Sequence, residues 1–395
     1  MIRVVFVDDE INVLHAMRRA MHGMRTEWNM EFLPSGAAAL DSLAVSPAEV
    51  VVSDMRMPGM DGWQLLAEIK KRHPQTVRLV LSGHADPGAI MRSVGTAHQY
   101  IAKPCDSATL KIAIGQSQSL RSLLSSDALA LLVGDVGMLP SYPKAYQDIS
   151  SCLGQPDASL TDAARIIGRD VAMTANIMKL VNSAFFGARQ TITSIDRAVT
   201  YLGLDTLGAL VLGHSVFQSR GSSATDNDRL EELWQHSLLT ATAARAIALN
   251  EKLPPARAEE AFLTGMLHDV GRVVFATGSD AATGTPAQSN QDKMAQADAH
   301  HATVGAYLLG LWGFPTQIVE AVAQHHTPSL SCDTGFGLAA LVHVADRLAH
   351  RCSAITSGSL QLGVEPGLLE RLGLVTHLPH WCGAMDVLDS DGSPP

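Results

Sequence analysis

Cysteine is sparse and unpatterned in this chain. Cys105, Cys152, Cys332, Cys352 and Cys382 are scattered, odd in number and form no CxxC, which argues against a disulfide framework and fits a reduced, cytoplasmic protein. Basic charge is also scarce: 29 Lys and Arg stand against 39 Asp and Glu, for a formal net charge of -10. That balance weighs against broad binding to nucleic acid or anionic membrane, because both rest on a positive field. No apolar run reaches the length of a membrane span, and the N-terminus enters a strand without a charged n-region or an apolar signal core. What the chain does have is length and apolar content. Its 395 residues suffice for two or three domains, and 46% hydrophobic residues allow each a full core.

The stretch Val50-Val51-Val52-Ser53-Asp54-Met55-Arg56-Met57-Pro58-Gly59 organises the N-terminal part. A β-branched run ending in a carboxylate and a Pro/Gly turn predicts a buried parallel strand that delivers Asp54 to its C-terminal edge, where open α/β sheets bind ligands. Strands are also expected at Ile2 to Val7, 30–33, Val77 to Leu81 and Gln99 to Ile101. Helical patterns lie between them, after Glu10, from Ala37 to Leu43 and from Trp63 to Ile69. This alternation predicts a five-stranded parallel sheet with helices on both faces.

Asp8, Asp9, Asp54, Ser82 and Lys103 all fall at strand ends. Three carboxylates on one edge repel unless a divalent cation is present, and Mg2+ with its preference for oxygen suits them. Asp9 and Asp54, with the backbone carbonyl of Arg56, are the expected ligands beside Asp8. Lys103 and Ser82 would then hold the oxygens of a phosphoryl group on Asp54. Singly, each residue has an ordinary alternative: Asp8 and Asp9 could cap the first helix, and Lys103 could be a solvated loop lysine.

Val7-Asp8-Asp9-Glu10, Asp54 to Gly62, Ser82-Gly83 and Lys103-Pro104 together resemble the receiver domain of a two-component response regulator, over residues 1 to about 120. The resemblance implies a flavodoxin-like fold, Mg2+, phosphotransfer from a histidine kinase to Asp54 and a switch in which Ser82 and Tyr100 move together. The plain alternative for Tyr100 is a half-buried strand residue.

Ser107 to Leu132 reads as the last helix of this domain running on into a connector, weakly broken at Gly115; Gly134 to Pro143 reads as the entry to a second domain, too apolar for a solvated linker. The boundaries expected are 1–120, a helical connector at 121–143, an all-helical domain at 144–378 and a disordered tail at 386–395. Expected helices include one capped by Thr161-Asp162, one begun by Asp170, Ile195 to Leu202, Leu207 to Val216, Leu230 to Leu249 and Ala258 to Phe275. Further helices are expected at 297–311, 315–326, 336–352 and 366–372. Ser219 to Asp228 and Ser279 to Asn290 read as loops.

On these apolar helices sit His236, His268-Asp269, His301, His325-His326 and Asp346. Imidazole and carboxylate suit a transition metal, and Asp269 could bridge a dinuclear iron, manganese or zinc site that activates water against a phosphate ester. Glu232 shares a helix face with His236. For any single histidine, a hydrogen-bonded core or surface role is the more common one, and His300 competes with His301 for the inward position.

The ordered set resembles the HD superfamily of phosphohydrolases. The resemblance implies that His236, His268, Asp269 and Asp346 serve one ion, and Asp269, His301, His325 and His326 a second. Leu180-Val181-Asn182-Ser183-Ala184-Phe185-Phe186-Gly187, Ala198-Val199-Thr200-Tyr201-Leu202-Gly203 and Phe262 to Arg272 match the HDOD branch more fully, over about residues 128–350. HDOD domains imply signalling by protein–protein contact. The related cyclic-di-GMP phosphodiesterases imply catalysis, but carry a Gly-Tyr-Pro triplet that is lacking after His325-His326, and a lysine where Arg272 stands. Arg272 and Glu232 are kept as an additional ligand or phosphate contact. Three functions thus stand open: a response regulator whose HDOD output, switched by Asp54, relays by contact; a phosphorylation-gated metal-dependent phosphohydrolase acting on a cyclic dinucleotide; and, least supported, DNA binding by the second domain. Partners implied are a cognate histidine kinase and a second copy of the chain, with no DNA and no membrane.

Overall fold

The computed structural model describes the chain apart from residues 83–94, 104–106, 122–123, 125, 135, 137, 140, 142, 156, 184–185, 187–189, 213–223, 278–289, 332–334, 355–363 and 383–395. The five expected strands form one parallel sheet: β1 (Ile2–Val7), β2 (Trp28–Leu33), β3 (Val50–Asp54), β4 (Val77–Ser82) and β5 (Gln99–Ala102), in the order β2-β1-β3-β4-β5. The order reverses between β1 and β3, which pair Val7 with Ser53 and so set Asp8 beside Asp54 at the sheet edge. Every residue of β3 is buried, as expected of a strand covered on both faces. One face packs under α1 (Ile11–Ala20), the other under α2 (Gly36–Val45) and α3 (Gly62–Arg72). Asp61 closes a capping box with Gln64 at the start of α3.

The last helix of this domain, α4 (Ser107–Arg121), does not run on through the connector. It passes unbroken through Gly115 and ends at Arg121. A separate helix, α5 (Asp127–Gly134), follows, with the Leu129 amide donating to Ser126 Oγ at 3.3 Å. Leu129, Leu132 and Val133 of α5 join the same buried cluster as Val4, Val52 and Leu79 of the sheet. That cluster continues into the helical domain, with Leu139, Ala145 and Ile149 among its buried members.

The second domain is helical among the described residues: α6 (Pro143–Leu153), α7 (Leu160–Ile167), α8 (Val171–Val181), α9 (Ile195–Leu212), α10 (Ala224–Asn250), α11 (Pro255–Leu267), α12 (Val270–Thr277), α13 (Asn290–Leu311), α14 (Thr316–Gln324), α15 (Leu338–Ala354) and α16 (Leu368–Leu372). Several expectations change. The cap of α7 is Ser159, whose hydroxyl accepts from the Asp162 amide, and not Thr161-Asp162. Residues 224–228, expected as loop, are already helical. Ile195 to Leu212 is continuous except at Gly203, whose φ of 75° and ψ of 162° kink it between the two expected helices. The helix expected from Ala258 to Phe275 breaks at His268-Asp269. The expected loop at 279–289 and the tail at 386–395 lie outside the described residues.

The seam between the domains is polar at its centre. Arg78 of β4, fully buried, donates to the carbonyls of Thr96, Pro74, Thr76 and Gly134. Lys179 of α8 donates to the carbonyl of Ala97 at 3.2 Å and lies 4.5 Å from the centre of the Trp312 ring. No described helix is long and apolar enough to cross a membrane.

Gly203 has open space around its missing Cβ, so only its backbone conformation favours glycine. Gly203→Ala is therefore expected to destabilise the chain by about 1–3 kcal/mol through strain alone. Urea denaturation checks this, and an unchanged midpoint would show that the kink is adaptable.

Candidate phosphoacceptor site and candidate metal centre

At the edge of the sheet, Asp8 directly follows β1 and Asp54 ends β3, both buried. Lys103, which follows β5, reaches between them. Its Nζ lies 2.8 Å from Asp8 Oδ2 and forms a second ion pair with Asp54 Oδ1. The amide of Arg56 donates to Asp54 Oδ2 at 2.9 Å, and that of Glu10 to Asp8 Oδ1 at 3.0 Å. Burial works against the charge on Lys103, but its bonds to Asp54 and Asp8 outweigh it and raise the ammonium pKa. The carboxylate repulsion expected from the sequence is thus already relieved in part by Lys103. Asp8 and Asp54 remain an oxygen-only donor pair on one edge, which fits Mg2+. Asp9 is exposed and does not cap α1, whose N-cap is Glu10. Tyr100 is buried, not half-buried, in the same apolar cluster as Val80 and Leu65. The side chain of Ser82 lies outside the described residues. Gly62, which opens α3, has its missing Cβ only 2.1 Å from the carbonyl of Asp54, so a side chain there would push the acceptor strand aside.

In the helical domain, the structure brings the dispersed histidines together. His236 comes from α10. His268 and Asp269 come from the break between α11 and α12, where the chain turns. His301 comes from α13, His325 and His326 from the end of α14, and Asp346 from α15. Just after the break, α13 crosses α12 at backbone contact: a Cβ on Gly271 would sit 2.1 Å from the carbonyl of His301. Asp269 Oδ1 lies 3.0 Å from His301 Nε2 and 3.9 Å from His325 Nε2. Asp346 Oδ1 lies 3.0 Å from His236 Nε2 and 3.6 Å from His268 Nε2. His326 Nε2 is 2.8 Å from His301 Nε2.

Each inner ring is held by its other nitrogen. His268 Nδ1 donates to the carbonyl of Gly265 at 2.7 Å, His301 Nδ1 to that of Ala297 at 2.8 Å, and His325 Nδ1 to that of Val322 at 2.7 Å. Such bonds place the proton on Nδ1 and leave the Nε2 lone pair as the ligand. The Nε2 atoms of His236, His268 and His325, and both oxygens of Asp346, are buried without a hydrogen-bond partner among the described residues. Orphaned buried acceptors are costly, and convergent imidazole and carboxylate donors are the set a transition metal takes. Three donor groups meet the spacing for an ion: His301, His325 and His326; His236, His268 and Asp269; and His236, Asp346 and His350.

The two carboxylates favour positive charge at this centre, which a proton on His268 supplies in the absence of a cation. Burial disfavours charge on His268, yet Asp269 and Asp346 overcome it and push its pKa up to about 9. Asp269 is held well below the usual carboxylate range, because His268, His301 and Arg272 outweigh its burial; Asp346 is likewise lowered by His236, His268 and His350. Burial, then His268, keeps His325 neutral, and burial, then His301, lowers His326 to about 4. Arg272 Nε pairs with Asp269 Oδ2 at 3.0 Å and NH1 with Asp298 at 2.5 Å, so it backs the carboxylate rather than facing away. Glu232 is exposed and enters none of the three donor groups. His300 is half-buried, and the inward position belongs to His301. The sequence reading missed His350, one turn after Asp346 on α15, whose Nδ1 lies 3.0 Å from Asp346 Oδ1; the i, i+4 spacing from an expected ligand was the signal available.

Two family models match. The response regulator receiver domain covers residues 4–115 and the HDOD domain residues 139–328. An uncharacterised protein of Treponema pallidum is 30% identical over 209 residues, 50% of this chain and 40% of its own. The DNA-binding transcriptional regulator NtrC of Klebsiella pneumoniae is 36% identical over 101 residues, 25% of this chain and 21% of its own. The chain thus spans well under half the length of these curated relatives. Among solved structures, the signal receiver domain of an HD domain-containing protein from Pseudomonas fluorescens is 28% identical with a TM-score of 0.28, covering 29% of this chain and 91% of that one. The MmoQ response regulator of Methylococcus capsulatus is 21% identical with a TM-score of 0.44, covering 62% of this chain and 98% of that one. With both domain models matched in the expected order on the expected folds, the chain is a response regulator that joins an N-terminal receiver domain to an HDOD domain of the HD superfamily.

Proposed function

We propose that this response regulator takes a phosphoryl group on Asp54 from a cognate histidine kinase and signals through contacts of its HDOD domain with a downstream protein. The observation that carries the reading is the Lys103 ammonium bridging Asp8 and Asp54 at the switch point of the sheet. An Asp54 carboxylate oxygen attacks the phosphorus of a phosphohistidine. The phosphorus–nitrogen bond breaks, the imidazole takes the electron pair and a proton, and an acyl phosphate forms. Lys103, freed from one oxygen of Asp54, turns to the phosphoryl oxygens, where Ser82 adds a hydrogen bond. Mg2+, when bound, would be held by Asp8, Asp9, Asp54 and the carbonyl of Arg56 and would supply the remaining charge neutralisation. Tyr100 and Ser82 then move together, and a second copy of the chain is taken up as a homodimer.

A second reading concerns the HDOD domain. The partnerless oxygens of Asp346 and Nε2 atoms of His268 and His325 support a dinuclear iron, manganese or zinc centre bridged by Asp269, the arrangement that hydrolyses phosphate esters such as cyclic dinucleotides. Against turnover, His326 leads into Thr327 and a short turn at Pro328–Leu330 rather than a Gly-Tyr-Pro triplet. Relay by contact therefore remains the favoured output, with metal as a structural element.

Asp54→Asn is expected to abolish labelling by a small phosphodonor in the presence of Mg2+; labelling that persists would identify a different acceptor. Phosphodonor treatment of the wild type should shift light scattering from monomer to dimer, and monomer in both states would remove dimerisation from the scheme. Elemental analysis of the purified full chain should find bound transition metal. Metal at a hundredfold its Kd should raise stability by about 2.7 kcal/mol over chelator-treated protein. Asp269→Asn should lose that gain, whereas equal stability of metal-treated and chelated wild type would defeat the metal reading.

A further inference from the structure

We propose that the helical domain carries a site for a free, zwitterionic amino acid in a cavity of about 510 Å3, where the C-terminal end of α10 meets the short turn at Val375–His377. The site stands apart from the histidine cluster: Asn250 lies about 21 Å along α10 from His236. It depends neither on the metal reading nor on phosphotransfer. The volume is that of a small-molecule pocket. Its walls include Asn250, Glu251 and Lys252 at the end of α10, and His377, His380 and Trp381 from the segment that follows α16.

Lys252 is the residue that folding alone does not account for. The Leu253 amide donates to the Ala248 carbonyl and the Lys252 amide to the Leu249 carbonyl, both at 3.0 Å. These two bonds close α10 in a Schellman motif with Lys252 at the left-handed position. Its φ is 54°, and every other described residue with a positive φ is a glycine. Glycine takes that conformation without strain and a lysine does not. The ammonium kept at this cost enters no hydrogen bond or ion pair among the described residues.

Glu251 supplies the opposite charge. Its side chain is 16% exposed, and Oε1 accepts from His377 Nδ1 at 2.8 Å and from Trp381 Nε1 at 3.0 Å. The Trp381 ring is itself stacked on Phe336, with centres 5.5 Å apart, so the carboxylate is fixed. Its second oxygen makes no hydrogen bond among the described residues. A fixed carboxylate with an oxygen to spare and an unpaired ammonium thus stand on consecutive residues of one cavity wall. They match the α-ammonium and the α-carboxylate of an amino acid. A neutral ligand would leave both charges unanswered, and a simple anion would meet Glu251. Asn250 adds an amide donor for the ligand carboxylate.

Isothermal titration of the full chain with each of the common L-amino acids tests the proposal. At least one is expected to bind, and its counterparts lacking the ammonium or the carboxylate should bind about 10–100-fold more weakly. The plain role of a lysine at a helix C-terminus is to favour the dipole, and Lys252→Gly separates the two roles. Glycine relieves the left-handed strain, so the variant should melt no lower than wild type while its affinity falls about 10–100-fold. Glu251→Gln keeps an oxygen for Trp381 but loses the charge. It should weaken binding of the amino acid and not of its deaminated counterpart, with circular dichroism verifying the fold; if it unfolds, Lys252→Gly decides alone. Undiminished binding by Lys252→Gly overturns the proposal, as does a wild type that binds no amino acid. Binding of AMP or GMP in place of amino acids makes the cavity a nucleotide site and overturns it too.

Discussion

The helical domain depends on one repeated interaction: an imidazole whose Nδ1 is tied to a backbone carbonyl of its own helix, three or four residues earlier. His268, His301 and His325 all use it. The bond fixes ring orientation and tautomer together, and it turns every Nε2 toward the same space. A histidine so held is stable only if the Nε2 lone pair finds a proton or a cation, and the shared carboxylates Asp269 and Asp346 supply the negative charge that makes either favourable. The helices pack around this demand. Gly271 gives up its side chain so that α13 can bring His301 to Asp269, and Gly265 does the same for α10, with a missing Cβ 2.7 Å from the Cα of Ala241.

A related economy governs the seam between domains. Arg78 spends its guanidinium on backbone carbonyls of its own domain and on Gly134 at the end of α5. His98, fully buried beside it, accepts from the Arg78 amide through Nδ1 at 3.1 Å, so its proton sits on Nε2, facing Gly134. Burial, then Arg78, keeps that ring neutral. Lys179 brings the helical domain into the same region and touches the chain just before β5. Its burial pulls the ammonium pKa well down. Polar groups fixed at such cost tolerate few alternative packings; Arg78 lies on β4, His98 directly before β5 and Lys179 on α8.

The receiver half was almost wholly legible from sequence. Apolar runs lead into Asp8 and Asp54, and the turn after Asp54 is written in Pro58 and Gly59; the parallel register that sets Asp8 by Asp54 is seen only in the structure. The break at His268-Asp269 was not legible, because periodicity runs through it from Ala258 to Phe275. The start of α10 within a polar stretch was missed for the reason that its first turns carry Asp, Asn and Arg and show no apolar face. Ser159 was overlooked as a cap because Thr161-Asp162 offers the same side-chain chemistry two residues on.

The sequence by itself determined which residues could do chemistry: an ordered set of carboxylates, a lysine and histidines, each placed by local pattern at a strand end or on a helix. Only the tertiary structure decided which of them meet. Lys103 satisfies two carboxylates at once, Glu232 stays at the surface, Arg272 backs Asp269, and His350 joins Asp346 and His236. The physical reason is that propensity and periodicity act over a few residues, whereas a ligand set is fixed by the crossing of helices far apart in the chain, such as those carrying His236 and Asp346.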